Sequence, residues 1–278
     1  MAACWDTRLV DVLPQFAAGD RTMTERLTVR DAFCNCSGLP GRDLERYFKT
    51  GTLSPEETLT ALADIAPAAS FGEQFIYNNL LVAAGGYAAG VAARGDGAGD
   101  VGFAYDAAMQ QRVLGPIGMK RSTFDPEAVR PDGDYAPPHA ADLSGDLRPI
   151  PLEAEHDVLL PVRPAGGLWS TARELARFVQ TELAGGTAPS GTRVVSAENI
   201  TVTWAPRVAV PNLYGGPPEM AASMSSYGLG WLSGEYRGLR VISHTGGTVG
   251  DCLERGAVSR LRVYRGRLNR AIPLLLTP

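Results

Sequence analysis

The segment SHTGGTVG, residues 243–250, carries the residue types in this sequence that are best suited to chemistry. In it, His244 and Thr245 precede two glycines, Gly246 and Gly247, a pattern typical of an active-site strand. Imidazole is the side chain that most readily changes its charge near neutral pH. A single histidine in a strand is nevertheless most often structural, so the partners of His244 decide its interpretation.

The segment YNN, residues 77–79, offers a second reactive group in the hydroxyl of Tyr77. A tyrosine hydroxyl has a reference pKa of about 10, so it moves a proton only when nearby positive charge stabilises its phenolate. Taken alone, Tyr77 also fits a packed tyrosine on the loop before a helix. The residue types by themselves leave both interpretations open.

Cysteine spacing argues against a metal site. Cys34 and Cys36, in FCNCSGLP, are separated by one residue, which is neither the C-x-x-C spacing of a redox site nor half of a zinc site. His139 and His156 lie in Pro-rich or acidic segments and supply no obvious further ligands. We therefore predict that Cys34 and Cys36 are two buried thiols, and we expect neither a metal nor another cofactor.

Composition narrows the class of protein. The chain has 278 residues, of which 45% are apolar, enough for one large domain or two small ones. A net charge of -4 provides no basic surface for nucleic acid, which leaves an enzyme or a small-molecule binder. No stretch approaches the roughly 20 apolar residues of a membrane span. The initial MAAC is not preceded by the charged segment and apolar run of an export signal, so the residues as printed predict a chain that is not exported.

Two apolar helices are predicted around the candidate groups. The segment after Tyr77, YNNLLVAAGGYAAGVAARG, is small and apolar on nearly every face, which predicts a buried helix. Its Gly85–Gly86 pair predicts close packing against a neighbour. The segment AYDAAMQQRVLGPIGM predicts another helix, closed by Gly115–Pro116.

Two further helices are predicted from their caps. Ser54, followed by Pro55 and by Glu57, marks the start of a helix that should end at Pro67. Thr171 and Glu174 form a capping-box pattern at the start of an amphipathic helix. The residues predicted to form its buried stripe are Leu175, Phe178, Val179 and Leu183.

The remaining segments complete an α+β pattern. The stretch from Phe124 to Pro164 is rich in Pro and Asp and has little periodicity, which predicts a long surface excursion. The segment YGLGWLSGEYRGLRVISHTGG then has short apolar runs around a turn at residues 234–238, which predicts a β-hairpin. Helices followed by antiparallel strands predict an α+β fold with helices packed on a sheet.

Residues 251–278 change the character of the sequence. They hold six arginines against two carboxylates and show no clean alternation. If residues 251–278 are read out of frame, we expect this arginine-rich tail to form no regular strand, to bury no apolar face and to contribute little to stability. A basic surface tail and a shifted reading frame in a G- and C-rich gene both explain it.

Five segments together resemble the serine β-lactamases and penicillin-binding-protein-like hydrolases, especially the class C-like branch with its D-aminopeptidases and esterases. The resemblance covers about residues 5–250. It implies a β-lactamase/transpeptidase-like fold, in which an antiparallel sheet is flanked by helices. Residues 1–250 would form an incomplete domain of this fold, and residues 251–278 would form a tail that does not match the family. The segments are VRDAFCNCSGLPGRDLE, FGEQFIYNNLLVAAGGY, RVLGPIGMKRSTF, PAGGLWSTARELARFVQ and YGLGW followed by HTGGTVG.

The resemblance also implies roles for the candidate residues. In this family the serine of a Ser-x-x-K motif is acylated. Two further motifs face this serine across one cleft. They are Tyr-x-Asn, and Lys-Thr-Gly or His-Thr-Gly on an edge strand. Here Tyr77 would be the proton shuttle, and His244 would carry charge that orients the leaving group. The substrate-binding residues implied are Asn79 for the substrate's amide, Thr245 and Gly246 along the strand, and Gly247 as an oxyanion donor.

The implied substrate is a small-molecule amide, β-lactam or ester, with no nucleic acid and no membrane span. Relatives are often periplasmic or secreted, whereas the residues as printed would be cytoplasmic. The oligomeric state is not predicted.

The nucleophile is missing from the pattern. The chain has two lysines, Lys49 and Lys120, and the residues three positions before them are Arg46 and Ile117, so no Ser-x-x-K is present. In the family this motif precedes SGLP by a few tens of residues, before the point where Met1 stands. We expect a chain that lacks its nucleophile and is inactive by itself.

Three interpretations follow. The chain is an incomplete serine hydrolase of this family, or a non-catalytic ligand-binding module of the same fold. The third interpretation is an enzyme with a replacement nucleophile, for which Cys34 and Cys36 are the chemically attractive groups.

Overall fold

The computed structural model describes most of the chain, in five segments. Thr245 and residues 132, 154–156 and 260–265 are described by their backbone alone. The described segments are 4–43, 53–95, 99–211, 222–246 and 260–265.

Helices dominate up to residue 204 and an antiparallel sheet follows, which confirms the α+β prediction. The α-helices are α1 (Leu9–Val12), α2 (Arg21–Arg26), α3 (Val29–Phe33), α4 (Pro55–Thr58), α5 (Asn79–Arg94), α6 (Val101–Met109), α7 (Gly115–Ile117), α8 (Pro126–Val129), α9 (Leu152–Leu159), α10 (Ala172–Leu183) and α11 (Ala197–Trp204). The strands are β1 (Ala18–Gly19), β2 (Leu62–Ala63), β3 (His139–Ala141), β4 (Leu147–Pro149), β5 (Val208–Ala209), β6 (Ser226–Tyr227), β7 (Leu232–Tyr236), β8 (Leu239–Thr245) and β9 (Arg260–Arg265).

The sheet that carries the candidate histidine consists of β5 to β9 in sequential antiparallel order. The predicted hairpin is confirmed: β7 and β8 pair from Leu232 opposite Ser243 to Tyr236 opposite Leu239. Arg237 and Gly238 form the two-residue turn, with φ of 51° and 75°. Positive φ at both positions is what a tight hairpin requires, and Gly238 adopts it without steric cost.

Strand β9 corrects two expectations. A tail read out of frame was expected to form no regular strand, yet β9 pairs with β8 along its length, with His244 opposite Leu261. Strand β8 is therefore internal, with β7 on its other side, and not at the edge that the resemblance implied. The segment RLRV, residues 260–263, does alternate charged and apolar residues, a period that suits a strand and that the high arginine content obscured.

Helix α5 is buried as predicted, and its glycines allow close packing. A Cβ built on Gly85 would lie 2.9 Å from the Cβ of Ala32, and one on Gly86 would lie 2.3 Å from the Cβ of Pro164. The Gly85–Gly86 pair thus lets two neighbouring segments approach the helix. Neither α5 nor any other helix within the described segments is long and apolar enough to cross a membrane.

Helix α4 is shorter than predicted. The cap is confirmed, since the Ser54 side chain accepts the expected hydrogen bond, but the helix ends at Thr58 and does not reach Pro67. The N–H of Ala17 donates to the carbonyl of Leu59, and β2 pairs in parallel with β1 a few residues later. Pairing with a distant segment replaces the helical hydrogen bonds that the local sequence favours.

The helical run that includes α6 continues beyond the predicted stop at Gly115–Pro116. A π-helical turn, Gln110–Leu114, leads into α7, and the run ends at Gly118 with a φ of 84°. The N–H of Gly115 donates to the carbonyl of Gln110, five residues back. This wider turn accommodates Pro116, whose ring and missing N–H disfavour an ordinary α-turn.

Helix α10 confirms half of its predicted cap. Thr171 accepts the N–H of Glu174 at 3.2 Å. The carboxylate of Glu174, however, receives the N–H of Arg121 at 3.0 Å and the hydroxyl of Ser122 at 2.7 Å. The reciprocal bond of a capping box is therefore replaced by a tie to the loop after α7.

The buried face of α10 is also rotated from the prediction. Val179 is buried and Phe178 partly buried, but Leu175 and Leu183 are exposed. Glu182 is buried instead, because its carboxylate accepts the indole N–H of Trp204 in α11 at 3.2 Å. The polar contact with α11 turns a charged residue inward.

The stretch from Phe124 to Pro164 is a surface excursion only in part: Leu143 and Leu147 are exposed, but Pro161, Val162 and Arg163 at its end are buried. It is more regular than its sequence indicated, since it contains α8, α9 and the two-stranded antiparallel pair β3–β4. His139 therefore lies in a strand and His156 in a helix, where loops were predicted.

Candidate functional site

Tyr77 immediately precedes the N-cap of α5. Asn78 is completely buried, and its side chain accepts the N–H of Leu81 at 3.0 Å, which starts the helix. Its amide nitrogen lies 3.2 Å from the carbonyl of Leu39 and 3.3 Å from that of Pro40. A local N-cap and two long-range hydrogen bonds therefore fix the backbone that carries Tyr77.

His244 stands near the end of β8 between two tyrosine hydroxyls. Its Nε2 lies 3.5 Å from the hydroxyl of Tyr77 and 3.1 Å from that of Tyr227. The ring centroids are 6.1 Å apart for Tyr77 and His244, and 5.9 Å for Tyr227 and His244. The structure thus brings together the two groups that sequence motifs far apart in the chain singled out.

The two tyrosines differ in their access to solvent. Tyr227 is 1% exposed, whereas Tyr77 is 37% exposed and His244 is half-buried. Phe75 packs on Tyr227 with ring centroids 5.2 Å apart. One hydroxyl therefore contacts the imidazole from within the protein, and the other contacts it from the side open to solvent.

Tyr227 was not among the predicted site residues. It begins the segment YGLGW, which contributed to the family resemblance without receiving a role. The order of the strands could have indicated Tyr227, because β6 precedes the β7–β8 hairpin and lies two strands from the strand of His244. The contact itself depends on side-chain reach across the sheet and could not be derived from spacing.

The other predicted site residues are only partly described. The side chain of Asn79, in the first turn of α5, donates to a carboxylate oxygen of Asp43 at 2.8 Å. Gly246 is exposed, and a Cβ built on it meets no described atom within 4 Å. Thr245 ends β8, and its side chain is not described; Gly247 lies outside the described residues. Their predicted contacts with substrate stay predictions.

Cys34 and Cys36 form a disulfide, so the prediction of two free thiols is wrong. The intervening residue, Asn35, adopts a left-handed conformation with a φ of 52°, which brings its neighbours' side chains to one side. Both cysteines pack in an apolar cluster with Tyr227 and Leu232. Spacing alone did not indicate this pairing, because closing so short a loop requires a specific backbone conformation.

A metal centre finds no support in the part of the chain that the structure describes. There, no three His, Cys, Asp or Glu side chains are grouped so that they could hold an ion.

Sequence comparison relates the chain to known proteins. The family model described as Beta-lactamase matches residues 4–253. The chain is also 28% identical over 264 residues to "Penicillin-binding protein 4" of Amycolatopsis lactamdurans, an alignment that covers 94% of this chain and 62% of that protein. The chain thus spans less than two thirds of the length of this relative.

Two solved structures illustrate the similarity of the fold. The octameric penicillin-binding protein homologue from Pyrococcus abyssi matches with a TM-score of 0.63 and 22% identity, over 86% of this chain and 53% of that one. The D-stereospecific amidohydrolase from a Streptomyces species matches with a TM-score of 0.65 and 18% identity, over 94% of this chain and 71% of that one. At such identities the similarity establishes the fold alone.

Proposed function

Because this chain belongs to the beta-lactamase family of hydrolases, we propose that it supplies the substrate-orienting part of an acyl-transfer site. One observation carries the proposal: His244 and Tyr77, 167 residues apart in sequence, meet at one open position of the molecule. A phenol beside an imidazole is a pair that can hold or move a proton next to a reacting carbonyl.

The two tyrosines would have different roles in this site. Tyr227, buried and 3.1 Å from Nε2, would hold the imidazole in one orientation. Tyr77, exposed by 37%, is the hydroxyl that substrate can approach, which supports the role of proton shuttle. Tyr227 is therefore a positioning residue in this proposal, whereas Tyr77 and His244 would contact the reacting groups.

The proposed substrate is an amide, a β-lactam or an ester. One similar protein is named for penicillin binding and another for D-stereospecific amide hydrolysis, which supports this class. The backbone beside Gly246 would let an extended substrate lie along β8, with Gly247 as an oxyanion donor and Thr245 beside it. Asn79 would orient the substrate's amide through its side-chain oxygen and its second N–H, since one N–H of its amide donates to Asp43.

We also propose that the chain of 278 residues forms no acyl-enzyme by itself. Neither of its lysines stands three residues after a serine, so the Ser-x-x-K pair that generates the nucleophile is not present among these residues. The same observation favours a second candidate, a non-catalytic module of this fold that binds such ligands without turnover.

A covalent penicillin probe tests the proposal. We expect intact-mass spectrometry to detect no stoichiometric adduct on the purified chain. Adding a family member's Ser-x-x-K segment as a separate chain should restore a burst with a chromogenic β-lactam or a nitrophenyl ester, and Tyr77→Phe should slow that burst by about 10²-fold or more.

The other outcomes decide between the alternatives. Ligand-induced shifts of the His244 ring resonances without a burst would support the binding module. An adduct on the chain alone that disappears in Cys34→Ala or Cys36→Ala would overturn the proposal in favour of a thiol nucleophile. The disulfide argues against that outcome, because it occupies both thiols.

A further inference from the structure

The disulfide-bridged turn Cys34–Cys36 lies where the helical part of the site meets the sheet. The backbone of this turn bonds to the loop before α5: the N–H of Ile76 donates to the carbonyl of Asn35 at 2.8 Å, and the N–H of Gly72 donates to that of Cys36 at 2.7 Å. The turn is thus hydrogen-bonded to the segment that presents Tyr77.

The same turn packs against the strands of the other tyrosine. Cys34 and Cys36, both buried, belong to one apolar cluster with Tyr227 and Leu232. The N–H of Gly230, between β6 and β7, donates to the carbonyl of Phe33 at 3.1 Å. One short turn therefore contacts both of the elements whose tyrosines converge on His244.

Asn35 makes the most direct connection to Tyr77. Its side-chain oxygen accepts the N–H of Asn78 at 2.9 Å, and its carbonyl accepts the N–H of Ile76 at 2.8 Å. Asn35 thus bonds to the residue on each side of Tyr77. Its side-chain nitrogen is buried and has no hydrogen-bond partner among the described atoms, so the oxygen is what this side chain contributes.

The bridge supports the backbone that makes these bonds. Asn35 has a φ of 52°, a left-handed conformation that costs an L-residue free energy, although asparagine tolerates it better than most. The Cys34–Cys36 bond joins the two flanking residues and restricts the turn to conformations compatible with that φ.

We propose that Asn35, held in this conformation by the Cys34–Cys36 disulfide, is a positioning residue that sets the Tyr77 hydroxyl against His244. The inference rests on the proposed function in that it assigns the Tyr77–His244 pair to the substrate site. The contact can be measured without substrate, so failure of either proposal is distinguishable from failure of the other.

The test uses the ring nitrogens of His244, one of three histidines in the chain, as a spectroscopic reporter of the contact. Tyr77→Phe defines the ring 15N shift that follows loss of the hydroxyl. Asn35→Gly keeps a left-handed backbone accessible but removes the side-chain acceptor. We expect Asn35→Gly to move the His244 resonances in the same direction as Tyr77→Phe does. The double variant should show no larger shift than Tyr77→Phe alone, because both changes remove the same contact between the Tyr77 hydroxyl and His244.

A matched control separates this effect from general loosening. Asp64 also has a left-handed conformation, with a φ of 60°, but its N–H donates to the carbonyl of Gly19 at 3.0 Å, in the β1–β2 pair. Asp64→Gly should leave the His244 resonances at their parent positions. If Asn35→Gly leaves them there too, or shifts them additively with Tyr77→Phe, the proposal is overturned.

Two further measurements apply even if Asn35→Gly does not fold. In the unmodified protein the amide of Asn78 should exchange slowly with solvent, and an exchange rate equal to that of exposed amides would contradict the bond to Asn35. The paired Cys34→Ser and Cys36→Ser variant keeps Asn35 and removes the bridge. Its His244 resonances should shift toward those of Tyr77→Phe, and unchanged resonances would refute the role of the disulfide.

Discussion

At His244 the two neighbouring hydroxyls compete for one ring nitrogen. Nε2 lies within 3.5 Å of both Tyr77 and Tyr227, yet a protonated Nε2 has a single hydrogen to donate. The shorter distance and the complete burial of Tyr227 make it the persistent partner. The Tyr77 hydroxyl is then the group that can exchange its partner for a ligand.

This difference predicts unequal effects of removing the two hydroxyls. Tyr227→Phe should lower the free energy of unfolding by about 1–2 kcal/mol, because it breaks a buried hydrogen bond. Tyr77→Phe, at an exposed position, should change it by no more than about 0.5 kcal/mol. Urea unfolding of both variants measures the difference, and equal losses would argue against distinct roles.

The cysteines provide a second prediction at this scale. Cys4 is a free, exposed thiol, whereas Cys34 and Cys36 are bonded to each other. Alkylation of the denatured, unreduced protein should therefore modify no more than two of its four cysteines, and alkylation after reduction should modify all four. Intact mass counts the added groups. Four groups before reduction would exclude the bridge.

At the scale of an element, α10 carries two carboxylates with opposite pH behaviour. Burial raises the pKa of Glu182 to about 7, despite the hydrogen bond from the Trp204 indole. Burial also acts to raise the pKa of Glu174, but hydrogen bonds from Arg121, Ser122 and Lys120 and the charge of Arg177 together outweigh it, so that pKa is lowered. Burial is the largest single influence on both pKa values, and only at Glu174 do the donors and a nearby positive charge outweigh it.

Glu182 should make the protein less stable as the pH rises. The unfolded chain releases this proton near the ordinary value of 4.5 and the folded chain near 7, so stability falls across that window, by about 3 kcal/mol in total. Glu182→Gln cannot ionise and keeps an acceptor for Trp204. Relative to the parent, it should therefore gain stability between about pH 5 and about pH 8 in urea unfolding.

Glu174→Gln is the matched comparison on the same helix. A lowered pKa contributes stability above the unfolded value and loses it as the pH falls through the folded value. This variant should be less stable than the parent at neutral pH, and the deficit should shrink in acid. Parallel pH profiles for the two variants would contradict both assignments.

At the scale of the whole molecule, the arginine-rich tail contributes a strand to the sheet. Strand β9 pairs with β8 from Thr245 opposite Arg260 to Arg240 opposite Arg265, and β8 carries His244. The strand that positions the imidazole therefore has a backbone partner on each side. Whether residues 251–278 are read in the original frame stays a prediction, which the flanking DNA read in all three frames tests.

Deleting the tail should consequently destabilise the protein. Removal of residues 251–278 takes β9 away from β8 and should lower the melting temperature by at least about 4 °C. For a chain of this size, that shift corresponds to a loss of about 1–2 kcal/mol in the free energy of unfolding. Removal of residues 266–278 alone retains β9 and serves as the control. If both truncations melt with the parent, β9 contributes nothing to the stability of the sheet.

Local signals in the sequence determined several elements correctly. The small, apolar composition of α5 predicted its burial, Ser54 predicted the start of α4, and the turn residues around Gly238 predicted the β7–β8 hairpin. The ordered motifs also led to the family and to the pairing of Tyr77 with His244. These features depend on residues close in sequence, or on a resemblance that spans most of the chain.

Tertiary contacts decided the rest. Helix α4 ends early because β2 pairs with β1, and α10 turns Glu182 inward toward Trp204. The Cys34–Cys36 bridge and the contact of Tyr227 with His244 likewise depend on backbone conformation and side-chain reach. Each of these outcomes is set by a partner distant in sequence or by a precise backbone geometry, whereas propensity and periodicity report only on neighbours along the chain.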